Sequence, residues 1–199
     1  LLQGGQLAGL SVIALGAFTG GFLAVLLVYR LATSTTGTSV ATMLLAGIAI
    51  SALAGALNSL FMFIADDEML RRISLWQMGS LDAANWPRVW IAAGAVAIVM
   101  TLLPRDAAAL NAFLLGESEA RHLGIAVDAV KRRLILLTAM AIGVSVAVAG
   151  TISFVGLIVP HIVRLLIGPD HRYLIPASAM AGAILLILAD AVARVVVAP

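Results

Sequence analysis

The feature that most constrains this chain is the spacing of its charges. None precedes Arg30, and the run from Leu7 to Tyr29 is continuous enough for one membrane span. At 1.5 Å of rise per residue, about 20 apolar residues cross a hydrocarbon core of roughly 30 Å. Further runs follow between charged stretches: Val40 to Ala65, closed by Asp66-Asp67-Glu68; Val89 to Leu103, introduced by Asn85-Trp86-Pro87; Leu134 to Ala149; Ile152 to Ile167; and Leu174 to Val197. In lipid, backbone N–H and C=O groups must bond within a helix or around a closed barrel. No segment alternates with the period of two that a barrel needs, so strands are discounted. The fold class read from the sequence is all-α, a polytopic transmembrane helical bundle of about six segments. Thr33 to Ser39 reads as a loop, Pro104 as the end of the third span, and Gly150-Thr151 as a break that leaves the fifth span short or bent.

Composition closes off the alternatives. Of 199 residues, 62% are hydrophobic and 11% charged, against about 25% charged in soluble domains. A water-soluble globule of this size could not hide so much apolar surface. Twelve basic and ten acidic residues leave a net charge of +2, without the clustering a nucleic-acid partner requires. There is no cysteine, so disulfides and thiolate metal sites are excluded, and only His122, His161 and His171 remain as soft ligands. No phosphate-binding glycine loop, His-Glu metalloprotease helix or serine nucleophile elbow occurs, so no catalytic residue is assigned. Opening at Leu1 without a basic leader, and ending at Pro199 straight after an apolar run, the sequence reads as a piece of a longer chain.

Lys and Arg counts in the loops orient the spans. Arg30, Arg105, Arg121, Lys131, Arg132, Arg133, Arg164 and Arg172 fall on one side; Arg71, Arg72, Arg88 and Arg194 fall on the other. Eight against four makes the first side cytoplasmic and puts segment 66–88 outside. The cytoplasmic stretch 105–133 carries its own helix punctuation. Leu110, Phe113 and Leu114 share a face before Gly116, and Glu117 to Leu123 forms a second short helix ending at Gly124, with Asp128 capping the next span. Interfacial anchors are usually Lys-rich. The mixed signs of Glu117, Glu119, Arg121 and His122 instead suit a protein partner. The outer segment reads as an amphipathic helix, either solvated or rimming an outer mouth.

Small residues recur four apart at Gly47, Ser51, Gly55 and Ser59, at Gly16 and Gly20, and at Ser178 and Gly182. Ordinary close helix packing is the expectation for all of them. In the last span Asp190 and Arg194 are helical neighbours. Asp190 is expected to pair, while Arg194, nearer the outer surface, is expected to remain available. His161 is expected to anchor a hydrogen bond rather than bind a metal.

The string Gly150-Thr-Ile-Ser-Phe-Val-Gly-Leu-Ile-Val-Pro-His-Ile-Val-Arg164, with Gly168-Pro-Asp-His-Arg172 and Ala189-Asp-Ala-Val-Ala-Arg194, resembles the signature of the FecCD family, the permease subunits of bacterial ABC importers for iron chelates, haem and cobalamin. Its signature positions here are Pro160, His161, Arg164, Asp170, His171, Arg172 and Asp190. Leu44-Leu-Ala-Gly-Ile-Ala49, Gly79-Ser-Leu81, Leu115-Gly-Glu117 and Ala120-Arg-His-Leu-Gly124 agree, so the resemblance covers nearly the whole chain. It implies that residues 1–199 are a fragment of a single permease domain, lacking helices at both ends, with a cytoplasmic coupling loop at 105–133 and a periplasmic segment at 66–88.

By that resemblance, Leu115, Gly116, Glu117, Ala120, Arg121, Leu123 and Gly124 would sit in a cleft of an ATPase subunit, where ATP and Mg are bound. Arg194, with Arg71 and Arg72 on the outer rim, would meet a periplasmic binding protein, and Met43, Gly47 and Ser51 would line the translocation path. A second copy of the chain, membrane lipid and the bacterial inner membrane complete the setting. No covalently bound cofactor and no metal site are implied. The segments Ala65 to Leu81 and Ala120 to Gly124 most resemble haem permeases, with ferric siderophore or cobalamin as alternatives. The rival from another class is an ion-coupled secondary transporter with Asp190 as its coupling carboxylate.

Overall fold

The computed structural model describes residues 2–34, 37–38, 40–81 and 84–197. Its helices are α1 (Leu2–Ala32), α2 (Val40–Ile64), α3 (Asp67–Met78), α4 (Trp86–Leu102), α5 (Ala107–Phe113), α6 (Glu117–His122), α7 (Val127–Ala149), α8 (Val155–Ile167) and α9 (His171–Val197). Five helical stretches are long and apolar enough to cross a membrane: Leu15–Ala32, Ala41–Ile64, Trp86–Phe113, Val127–Ala149 and His171–Val196. The fold is thus a polytopic α-helical bundle. Several hydroxyls inside these stretches bond back to their own helix, whereas the buried Ser178 Oγ on α9 has no hydrogen-bond partner among the described residues. Thr19 donates to the Leu15 carbonyl at 2.7 Å, Thr101 to Ala97 at 2.8 Å and Ser145 to Ala141 at 2.8 Å.

Two local expectations are corrected and a third is met. Strands are not wholly absent: β1 (Thr33–Ser34) and β2 (Gly37–Thr38) pair antiparallel, Thr33 opposite Thr38, in a hairpin between α1 and α2. Pro104 does not end the third span, because it falls at the start of a 3₁₀ turn (Leu103–Asp106) that leads directly into α5. Its missing N–H costs little at such a position. As expected after the Gly150-Thr151 break, the fifth span is short, reaching 13 residues, about 20 Å of helix. Its start is delayed to Val155 by Phe154, the one non-glycine with positive φ (+66°) among the described residues.

Contacts divide the chain into two compact units, Leu1–Ala95 with Lys131–Thr151, and Val96–Val130 with Ile152–Pro199. In the first, α1 packs along α2. Phe18 lies over Gly143 of α7, where a methyl group would stand 2.8 Å from the ring. This is a close helix approach that the spacing of small residues did not mark. At Gly16, Gly20, Gly47 and Gly55 a methyl group would meet nothing within 4 Å, so the expected tight packing is not made at those glycines. Helix α3 starts at Asp66, whose carboxylate accepts from Met69 N at 2.8 Å. It ends against the end of α7: Ser80 N donates to the Ala149 carbonyl at 2.8 Å, and the Trp76 carbonyl lies beside Gly150, whose φ of +74° and missing side chain permit the approach. Asn85 caps α4 by accepting from Arg88 N at 3.0 Å, with Trp86 and Trp90 side by side on the first turn.

In the second unit, α8 and α9 form a hairpin. Val159 and Val163, four apart, pack against Leu174, with Val155, Ala177 and Ala181 around them. Val155 reaches Gly182, where a methyl group would sit 3.9 Å from it, so this pair of small-residue positions does admit a neighbouring helix. A separate cluster of Ala112, Ala120 and Val127, flanked by Phe113 and Ile125, holds α5, α6 and the start of α7 together.

Candidate functional site

The predicted coupling loop is a folded two-helix unit. Gly124 (φ +81°) follows the end of α6 as expected, whereas Gly116 (φ +112°) does not end α5, which is capped by Leu114, but stands before α6 as its N-cap. Ala120 is fully buried at the centre of the loop's core, whereas Leu115 and Leu123 are 67% and 65% exposed. Glu117 lies in the first turn of α6, where a carboxylate complements the helix dipole. Arg121 reaches forward to Asp128 at 3.1 Å. Asp128 therefore pairs from the first turn of α7 rather than capping it, a correction to its expected role.

The turn between α8 and α9 is held by a residue that sequence reasoning missed. Asn111 of α5 donates its Nδ2 to Asp170 Oδ1 at 2.7 Å, and its Oδ1 accepts from His171 N at 2.9 Å. His171 Nδ1 also lies 2.8 Å from that oxygen. Asp170 Oδ1 further accepts from Arg172 N at 3.0 Å. The Asn111 hydrogen bond, then the Arg172 N–H and the positive charge at Arg172 and His171, hold the Asp170 carboxyl below the usual aspartate range against a slight desolvation. Its contribution is complete above that range and is lost only as pH falls through the lowered value. His161, by contrast, is exposed on α8 and makes no hydrogen bond among the described residues, so the anchoring role falls to His171. Pro160 lies within α8, and Arg164 is exposed near its end.

At the other end of α9, Arg194 Nε donates to Asp190 Oδ2 at 2.8 Å. Asp190 is paired as expected; Arg194 is half-exposed but engaged, not left over. On α3, which buries no residue, Arg72 pairs with Glu68 while Arg71 is exposed. Met43, Gly47 and Ser51 come together on one wall of a cavity of about 390 Å³, faced by Ala24 and Val28 of α1 and Leu134 and Thr138 of α7. No charged residue lines it, and Ser51 and Thr138 supply its hydroxyls. Among the described residues, no three His, Asp or Glu side chains converge on a metal position.

Helices long and apolar enough to cross a membrane, with a folded two-helix loop, define a polytopic membrane protein. The chain belongs to the FecCD transport family, whose sequence profile matches residues 1–199. It is 45% identical over 184 residues to the hemin transport system permease protein HmuU of Yersinia pestis, covering 92% of this chain and 55% of that protein. It is 41% identical over 188 residues to the cobalamin import system permease protein BtuC of Halobacterium salinarum, covering 92% and 51%. A solved structure described as an inward-facing conformation of a metal-chelate type ABC transporter superposes with a TM-score of 0.80 at 29% identity, over 92% of this chain and 66% of that one. The chain spans about half the length of the curated relatives it matches.

Proposed function

We propose that this chain is part of the permease subunit of an ATP-driven importer in a bacterial inner membrane, moving an iron complex, with haem favoured, from a periplasmic binding protein to the cytoplasm. The observation that carries the reading is the loop of α5 and α6. Its core is apolar and buried, yet it turns Leu115 and Leu123 outward beside Arg121 and Glu117. Exposed leucines on a rigid, mixed-charge platform suit a protein surface better than lipid headgroups. A separate ATPase subunit is the partner this reading names, and ATP binding there would bias the permease, as a pair of identical copies, between outward-facing and inward-facing states. No covalent chemistry is assigned to the chain itself.

The cavity wall of Met43, Gly47 and Ser51 supports a path for a ligand with large apolar faces, since it offers hydroxyls but no charge. The same observation, with Asp190 tied to Arg194, speaks against an ion-coupled carrier, which needs a charged or unwound site at the midplane. Haem is favoured over ferric siderophore and cobalamin by the likeness to a hemin permease. The test is uptake by the full-length subunit reconstituted with its ATPase and binding protein, with haem, a ferric siderophore and cobalamin compared side by side. ATP-dependent uptake of haem above the other two is expected. Uptake without ATP, or failure to bind an ATPase subunit, overturns the reading.

A further inference from the structure

The second compact unit contains both the loop proposed to meet the ATPase and, at the end of α9, the arginine proposed to meet the binding protein. What joins them is physically specific. Helix α9 runs 27 residues from His171 to Val197, about 40 Å, long enough to carry a displacement across a membrane. Its inner end is intrinsically weak. Pro176 sits inside the helix and removes one backbone hydrogen bond from the second turn. The turn before it contains Gly168, with φ of +91°. That end is fixed by Leu174 packed into the α8 cluster, by the Asp170 carboxylate on Arg172 N, and by the Asn111 amide.

Asn111 uses both ends of its amide on consecutive residues of the α8–α9 turn. One end donates to the Asp170 carboxylate; the other accepts from the first backbone N–H of α9. That backbone donor belongs to the helix terminus and has no partner inside the helix. Asn111 lies on α5 beside Ala112, which is packed in the loop core with Ala120. The clamp therefore runs from the core of the two-helix loop to the start of α9 without an intervening flexible segment.

Resting on the proposed importer reading, we infer that Asn111 is a positioning residue for energy coupling: it fastens α9 to the ATPase-docking loop, so that movement of the loop is delivered along α9 to the Asp190–Arg194 end. The clamp stays closed throughout, and α5, α6 and α9 move together. Asn111 touches neither ATP nor cargo, so its loss acts on the transmission between sites and not on either site.

The test uses the full-length subunit assembled with its ATPase and binding protein in proteoliposomes. Asn111→Asp sets two carboxylates at the 2.7 Å separation now bridged by an N–H. The reciprocal double variant, Asn111→Asp with Asp170→Asn, rebuilds the bond between the two side chains with donor and acceptor exchanged, while the Arg172 N–H loses its acceptor at position 170 as it also does in Asp170→Asn alone, the matched control. The single variant is expected to keep the ATPase subunit bound while stimulation of ATP hydrolysis by loaded binding protein falls at least fivefold. The double variant is expected to recover stimulation to within twofold of the parent. Normal stimulation in the single variant overturns the inference. So does a loss of stimulation that the reciprocal pair fails to rescue, or one that only tracks loss of assembly, since each marks a merely structural bond. A parent subunit that binds no ATPase overturns the proposed function and this inference together; a coupled parent with an indifferent Asn111 overturns the inference alone.

Discussion

Gly124 shows how one residue's backbone serves the loop. Its φ of +81° lies where a side chain on an L-residue is disfavoured by roughly 1–2 kcal/mol, and more for a β-branched one. A methyl group there would meet nothing within 4 Å, so the penalty is conformational and not a clash. Gly124→Val is expected to leave membrane insertion intact while ATP hydrolysis ceases to drive uptake; Gly124→Asn, which tolerates the left-handed region better, should retain most coupling. The ratio of cargo moved to ATP hydrolysed checks both, and unchanged coupling in the valine variant would remove the loop's geometry from the mechanism. At the other end of α9, Arg194→Glu would set two acids four apart where an ion pair now stands. Binding-protein affinity should fall by tenfold or more and not recover with salt. Asp190→Asn, which removes the pair but keeps the guanidinium, should change it far less; equal losses in both variants would mean that the pair serves α9 alone. Residues of this kind were legible because their chemistry is local: an arginine four after an aspartate, a glycine after a short apolar face. Asn111 was not, because its partners lie 59 and 60 residues away and nothing in its own neighbourhood distinguishes it from a solvated loop amide. The anchoring role expected of His161 falls to His171 for the same reason, since only the fold brings Asn111 to it.

Among elements, the long spans could be read directly because lipid leaves no alternative to an apolar helix of sufficient length. What could not be read was where backbone departs from the helix. Phe154 adopts a left-handed conformation that its side chain does not favour, and this trims α8 to 13 residues. Pro104 continues the chain through a 3₁₀ turn instead of stopping it. The small-residue stripe of α2 was read as packing surface, yet Gly47 and Ser51 face a cavity and Gly143 receives the close neighbour. Small residues permit approach without compelling it. The junction of α3 with α7 carries a sharper consequence. A methyl group at Gly150 would stand 2.5 Å from the Trp76 carbonyl oxygen and 3.1 Å from Gly79 Cα, both backbone atoms with little room to yield. Gly150→Ala is therefore expected to destabilise the protein by about 1–3 kcal/mol, seen as a lowered midpoint of thermal unfolding in detergent. Gly94→Ala, inside α4 with nothing within 4 Å, is the control and should not lower the midpoint, since alanine favours a helix interior over glycine. On the loop, Leu115→Ser with Leu123→Ser removes exposed apolar surface without touching the Ala112–Ala120–Val127 core. The pair should abolish copurification of the ATPase subunit while the permease stays folded; undiminished copurification would place the contact elsewhere.

For the whole molecule, the reading depends on which ends of the helices face the cytoplasm. By sequence, eight basic residues fall on the side assigned to segment 105–133 and four on the side assigned to segment 66–88. Such a bias sets orientation because positively charged loops resist translocation. The proposed partners impose the same assignment independently, since a loop that meets an ATPase must be cytoplasmic and an arginine that meets a periplasmic protein must not be. The absence of cysteine from these 199 residues makes the assignment measurable. In a full-length subunit otherwise free of cysteine, Ser118→Cys on α6 and Gln77→Cys on α3 introduce single thiols at two exposed positions. A membrane-impermeant maleimide should label Gln77→Cys in intact spheroplasts and leave Ser118→Cys untouched until the membrane is opened. Inverted vesicles should give the reverse pattern. Labelling of both thiols from one side would contradict the alternation of spans expected from the sequence, which assigns segments 66–88 and 105–133 to opposite sides. Labelling of each from the wrong side would keep the fold and invert its direction, leaving the α5–α6 loop unable to reach an ATPase in the cytoplasm.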